Sequence, residues 1–207
     1  MKNINSIRKN LSITEIAVSI IVLVFLNISV LTLANYRDND IFYKLLYTAR
    51  LTLFLFNIAL CLYILPWSSE TRMKFWLLFW TGSFISFLIH IYYSFYIFFD
   101  GSITQFYNSQ GVFVATLNLI ITFWWLLDII LSWTSNSDAG WISFQRTGIH
   151  ILLFTTFFSS TVIFHAVDNK ETFVVIMGAL LGISALVCLY IRIRFYTKKT
   201  VLSNKQI

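Results

Sequence analysis

Six long apolar runs fill most of this chain, and they decide what it can fold into. They lie at about 13–34, 42–65, 75–99, 112–133, 147–167 and 172–193, each with few or no charged residues. About 20 helical residues are needed to cross a hydrocarbon core of ~30 Å. The fold expected is therefore an all-α bundle of six transmembrane spans, with the N- and C-termini cytoplasmic. It forms a single integral membrane domain over 1–207 with no soluble domain. Charged residues make up 12% of the chain, about half the usual share of a globular domain, so little chain remains outside the bilayer.

The net charge of +6 is a matter of topology. With the N-terminus placed inside, Lys2, Arg8, Lys9, Arg72, Lys74, Arg146, Arg192, Arg194, Lys198, Lys199 and Lys205 fall on the inner side. Only Arg37, Lys44 and Lys170 fall outside, and Arg50 lies within a span. That asymmetry is the positive-inside pattern. It expects a multi-pass protein of a bacterial inner membrane or an equivalent membrane, whose basic tail touches anionic lipid. Nucleic acid is not an expected partner, because no structured basic surface is present. The first run exceeds a typical signal-peptide core and has no A-x-A-like site after it, so it reads as a retained anchor. Cys61 and Cys188 both fall in spans as small packing residues, without metal-binding spacing.

Pro66 ends the second span, since it cannot donate the i→i−4 hydrogen bond. Trp67, Trp76, Trp133 and Trp141 sort toward the inner interface, and Tyr36, Tyr43, Tyr96 and Tyr107 toward the outer one. These are expected as interfacial anchors. The last span carries Gly178-x-x-x-Gly182, whose small residues allow close backbone approach. Its two readings are a contact inside the bundle and an interface to another membrane subunit or a second copy.

Polar groups within spans are costly and mark candidate sites. Converting position to depth at ~1.5 Å per helical residue sorts them into tiers. Asn27, Arg50, His90 and Asn118 fall at one outer-half level on four helices. Ser83, Ser86, His90 and Ser94 repeat at spacings that line one helix face. Arg50 is charged at any accessible pH and needs acceptors, water or an anion. Ligand binding is therefore expected at Arg50, His90, Asn27 and Asn118, with Ser86 and Ser94 beside them. Nearer the inner face, Asp128 and His150 fall at similar depth on consecutive antiparallel helices, as an ion pair or a proton relay. At the outer rim, His165, Asp168 and Asp100 are weak candidates for a metal.

The histidines raise haem b as a candidate cofactor. His150 and His165 lie about 60° apart around one helix and ~22 Å apart along it. Ferric-reductase-like cytochromes hold two haems with such a pair plus a matching pair on a second helix. This chain departs from that pattern, since the third span offers only His90. No nucleotide-binding, Cys-x-x-Cys, His-Glu-x-x-His or Gly-x-Ser-x-Gly motif is present, so no catalytic residues are assigned. The leading expectation is a protein that binds or translocates a small polar or anionic species, or protons, through the polar cluster. The alternatives are a non-catalytic membrane subunit of a larger complex and a haem-binding or other intramembrane redox enzyme.

Overall fold

The structure, a computed structural model, describes residues 11–38, 41–66, 70–135, 140–164 and 172–204. Among these there is no strand. The helices are α1 (Ile13–Asp38), α2 (Ile41–Ile64), α3 (Glu70–Ile91), α4 (Ile103–Gln110), α5 (Val112–Thr134), α6 (Gly140–Phe158) and α7 (Thr172–Asn204). Two of them change winding at their ends: α3 continues as a π-helix over Tyr92–Phe98, and α6 over Ser159–Phe164.

Among the described residues five helices are long and apolar enough to cross a membrane: α1, α2, α3 with its π-helical continuation, α5 and α7. The expected fifth span, 147–167, takes a different form. Its helix begins earlier, at Gly140, and carries Gln145, Arg146, Thr147 and His150 in its front half. Among the described residues α6 is not in the apolar set, and residues 165–167 lie outside them.

Local signals explain most boundaries. Ser12 and Glu15 form a capping box: the Glu15 N–H donates to Ser12 Oγ at 3.0 Å, and the Ser12 N–H donates to Glu15 Oε2 at 2.7 Å. Glu15 also pairs with Lys74 at 3.3 Å, tying α1 to α3. The α2 helix stops at Ile64, just before Pro66. Arg72 donates to the exposed ends of its last turn, at Leu62 O (2.6 Å) and at Leu65 O. Arg192 reaches Ile64 O at 3.5 Å. Two of the basic residues assigned to the inner side thus satisfy carbonyls at a helix C-terminus, where cations are favoured. The polar segment between α3 and α5 contains α4, capped by Ser102 Oγ accepting from the Gln105 N–H at 3.2 Å. Gly111, at φ 77°, closes α4 in a conformation that favours glycine. Phe106 of α4 packs on Phe99 and Ala115.

The α2 helix sits centrally, packed on α1, α3 and α7. Phe56, Trp80 and Trp125 are fully buried at the centre of the bundle. Phe56 meets Trp125 edge-on, with centroids 6.1 Å apart. In lipid there is little hydrophobic gain from bringing helices together, because acyl chains are as apolar as leucine. In such a setting dispersion between interlocked rings and hydrogen bonds would hold this core. The α1 helix takes least part, with most of its apolar residues exposed.

Glycine permits one close approach directly. A Cβ at Gly182 would lie 2.7 Å from Phe158 Cε2, so α7 nests against α6 at that point. Gly178, one turn earlier, is buried as well. Gly182→Ala is expected to push the two helices apart and cost about 1–3 kcal/mol, read as a lowered unfolding midpoint in detergent. Gly140→Ala, where an added Cβ meets nothing within 4 Å, should leave the midpoint unchanged and serves as its control.

The tryptophan anchors need correction. Trp76 is 1% exposed and belongs to the bundle interior, and Trp133 is half-buried with its N–H donated to Thr81 Oγ1 at 2.9 Å. An indole needs a polar partner at its tip, and helix neighbours supply one as well as headgroups do. Trp141 is exposed, as are Tyr36 and Tyr96. Trp67 lies outside the described residues.

Candidate functional site

Two polar centres are built into the bundle. The inner one surrounds Asp128, a fully buried carboxylate on α5. Its Oδ2 accepts the Trp80 indole N–H at 2.8 Å. Its Oδ1 accepts Gln145 Nε2 at 2.6 Å and Arg146 Nε at 3.2 Å. Arg146 also donates to Ser132 Oγ at 2.9 Å and lies over the Trp76 ring, 5.0 Å from its centroid. Gln145 in turn accepts the Trp124 N–H at 3.0 Å. These contacts run along Trp124-Trp125-Leu126-Leu127-Asp128 of α5. Trp125 fills the core, while Trp124 and Asp128, one turn apart, grip the two ends of the Gln145 amide. Gly148 lets Trp124 approach α6, since a Cβ there would stand 3.1 Å from the ring.

His150 lies in the same centre but is not the partner of Asp128. That partner is Arg146, which the sequence reading placed on the inner surface and which is 4% exposed within α6. The reason is helical geometry: Arg146 and His150 are one turn apart on the same face. His150 Nδ1 donates to Arg146 O at 2.7 Å. An indole can only donate, so Nε2 accepts from Trp76 Nε1, at 3.3 Å. Both nitrogens are engaged in the neutral Nδ1–H tautomer. The ring is stacked between Trp80 (centroids 4.0 Å, 9° between planes) and Tyr63 (4.1 Å, 19°). A haem iron approaching Nε2 would have to displace Trp76, and a haem plane would have to displace the stack. His165, the other half of the haem expectation, lies outside the described residues.

The outer centre is a cleft of about 910 Å³, within the usual range of ligand sites. Arg50 of α2, His90 of α3 and Asn118 of α5 all line it. Three of the four residues grouped by depth therefore share one space. The fourth does not: Asn27 of α1 faces another side of α3, donating to Ser86 Oγ at 3.2 Å and Leu23 O at 2.8 Å. Ser86 is buried in that contact, and Ser94 lies in the π-helical continuation, away from the cleft lining. Around the cleft, His90 Nδ1 hydrogen-bonds to Leu45 O at 3.1 Å and Thr48 Oγ1 at 3.3 Å. A carbonyl only accepts, so Nδ1 carries the proton and Nε2 is the nitrogen left for the cleft. Asn118 donates to Gln110 Oε1 at 2.8 Å, and Arg50 lies over the Tyr47 ring, 5.3 Å from its centroid.

The sequence reading missed the contribution of α6. Thr155, Thr156, Ser159, Ser160 and Thr161 also line the cleft, around the point where α6 passes into its π-helical stretch. A hydroxyl-rich end on an otherwise apolar run was the available signal. His90 lies two residues before the other π-helical stretch, and such departures from α-winding recur at functional sites. Of the rim candidates for a metal, Asp100 is exposed in a left-handed turn at φ 49°, while His165 and Asp168 lie outside the described residues. Among the described residues no three His, Cys, Asp or Glu side chains gather as a metal set would.

No protein-family model, curated protein or solved structure matches this chain.

Proposed function

We propose that this chain is a multi-pass membrane protein that binds a small polar or anionic species, or protons, in the Arg50–His90–Asn118 cleft and passes it across the bilayer. The cleft itself carries this reading. A guanidinium, an imidazole nitrogen and an amide meet there in a space of ligand size, on helices that otherwise present apolar surface. The position of α6, whose Ile149 and Leu153 are fully buried in the core, supports a sixth crossing. Six crossings place both ends on the cytoplasmic side, which the inner clustering of lysine and arginine favours, in a bacterial inner membrane or an equivalent one. Asp128 and His150 are the proposed second station toward the cytoplasm. A proton enters His150 there only by displacing Trp76 from Nε2.

The test is flux into proteoliposomes, followed with radiolabelled inorganic phosphate, radiolabelled acetate and a trapped pH dye. The protein is expected to move at least one of the three faster than empty vesicles do. Arg50→Ala should abolish that flux while leaving the unfolding midpoint in detergent within a few degrees of the unmodified protein. Vesicles no faster than empty ones with all three probes, or an Arg50→Ala protein as active as its parent, would sink the proposal.

A second reading, a membrane subunit of a larger complex, draws on α1, whose apolar stretch is only 6% buried. It predicts partner chains at fixed stoichiometry when the protein is purified gently from native membrane, and their loss when α1 is deleted. The Gly178–Gly182 stretch lends this reading little, because Gly182 is already occupied by Phe158.

A further inference from the structure

We infer that Cys61 and Cys188 form a two-thiolate site for a soft monovalent cation of the copper(I) class, held between α2 and α7. The site is separate from the cleft and does not rest on the reading of it. Ser184 Oγ of α7 donates to Asn57 Oδ1 of α2 at 2.7 Å, across 127 residues of chain. One turn on from each of these stand Cys61 and Cys188, at the same offset of 127. A further turn along, Arg192 donates to Ile64 O at 3.5 Å, at an offset of 128. Contacts at a constant offset mean that the two helices run parallel here, in one register. That register sets the two cysteines opposite each other, between two hydrogen-bonded levels. The sulfurs follow it. The Cys188 thiol is within hydrogen-bonding reach of Cys61. Cys61 Sγ donates to Asn57 Oδ1 at 3.7 Å, the same oxygen that Ser184 uses. The two thiols are not joined as a disulfide.

The ligand set selects the ion. Zinc in a structural site takes four ligands, and calcium and magnesium take oxygens in larger number. Among the described residues no third His, Cys, Asp or Glu joins the pair. Soft thiolates select copper(I), and an ion of that class is satisfied by two sulfurs in line. Binding is a proton exchange. Two S–H bonds break, two sulfur–metal bonds form, two protons leave to water, and no electron is transferred. The complex then carries one net negative charge, which burial makes costly unless a cation stands near. Arg192 stands one turn beyond Cys188 on α7. Arg72 reaches the same end of α2, at Leu62 O and Leu65 O. Both guanidiniums keep their carbonyl partners, and only their charge acts on the site. Cys61 lies one turn short of the end of α2 and is half-buried, so the ion has a short route in from that end.

The experiment loads the full chain in detergent with copper(I) in the absence of air, washes it with excess glutathione, and counts retained metal by native mass spectrometry. The unmodified protein is expected to keep one copper per chain and to shed two protons in taking it up. Zinc offered in the same way should wash out. Cys61→Ser and Cys188→Ser keep a side chain of similar size. Each should lose the copper entirely, with the metal-free unfolding midpoint within a few degrees of the unmodified protein. X-ray absorption of the copper-loaded unmodified protein should show two sulfur neighbours and no others, a readout that needs neither variant to fold. No retained copper, a copper shell containing nitrogen or oxygen, zinc held as firmly as copper, or a serine variant that keeps its copper would each overturn the site. So would a protein isolated without air whose two thiols are already joined. Flux through the cleft in copper-free vesicles should be unchanged by Cys188→Ser, so failure of this site and failure of the cleft are read separately.

Discussion

Asp128→Ala is expected to destabilise this protein by about 3–5 kcal/mol, the loss seen when one member of a buried ion pair is removed. The carboxylate is fully buried and takes hydrogen bonds from three side chains on two other helices: Trp80 of α3, and Gln145 and Arg146 of α6. Its removal leaves an indole N–H, an amide and a guanidinium without their acceptor in a medium that offers no replacement. Asp128→Asn keeps the shape and one acceptor oxygen but loses the charge opposite Arg146, so its effect should fall between. The double replacement Asp128→Leu with Arg146→Leu should cost far less than the sum of the two single changes, because no charge is then left buried alone. Unfolding by denaturing detergent in mixed micelles would read each of these proteins. An Asp128→Ala protein as stable as its parent would mean that water reaches the carboxylate.

Trp80→Ala should cost on the order of 3 kcal/mol. Two terms contribute: the cavity left by a fully buried indole and the lost hydrogen bond to Asp128. In a bilayer the usual water-to-core transfer term is largely absent, since acyl chains are themselves apolar. Trp80→Phe separates the terms, for it keeps most of the stack on His150 and removes only the donor, with an expected loss of about 1–2 kcal/mol. Trp80 lies 5.0 Å from Trp125 and 6.3 Å from Trp76, centroid to centroid. Both replacements should therefore sharply reduce the near-ultraviolet circular dichroism that coupled indoles produce. A spectrum unchanged by Trp80→Phe would contradict the cluster.

The outer cleft and the inner network were legible to different degrees. Depth arithmetic brought Arg50, His90 and Asn118 to one level, and they line one cleft. It also put Asn27 there, wrongly by azimuth: height along a helix says nothing about which side of α3 a neighbour occupies. At the inner level, depth matched Asp128 to His150, while one helical turn on the same face brought Arg146 to the carboxylate instead. A basic residue near a span end reads as a surface charge in sequence, and only packing reveals that it is enclosed. Trp76 illustrates the same ambiguity. Its position fits an interface anchor as well as a buried donor, and the acceptor that decides between them, His150, comes from a distant part of the chain.

By itself the sequence determined that the described residues are helical and that long stretches of the chain are apolar. That follows from composition and run length, because lipid leaves a long uncharged segment no other way to satisfy its backbone. It also determined where the α2 helix stops, through Pro66, since that signal acts within a turn or two. Tertiary structure alone decided which side chains meet. The Asp128–Arg146 pair, the Tyr63–His150–Trp80 stack, and the convergence of Arg50 with the hydroxyls of α6 depend on how the helices are rotated about their axes. In a bilayer that rotation is set by ring packing and hydrogen bonds between helices rather than by a polar outer face, so no periodic pattern in the chain records it.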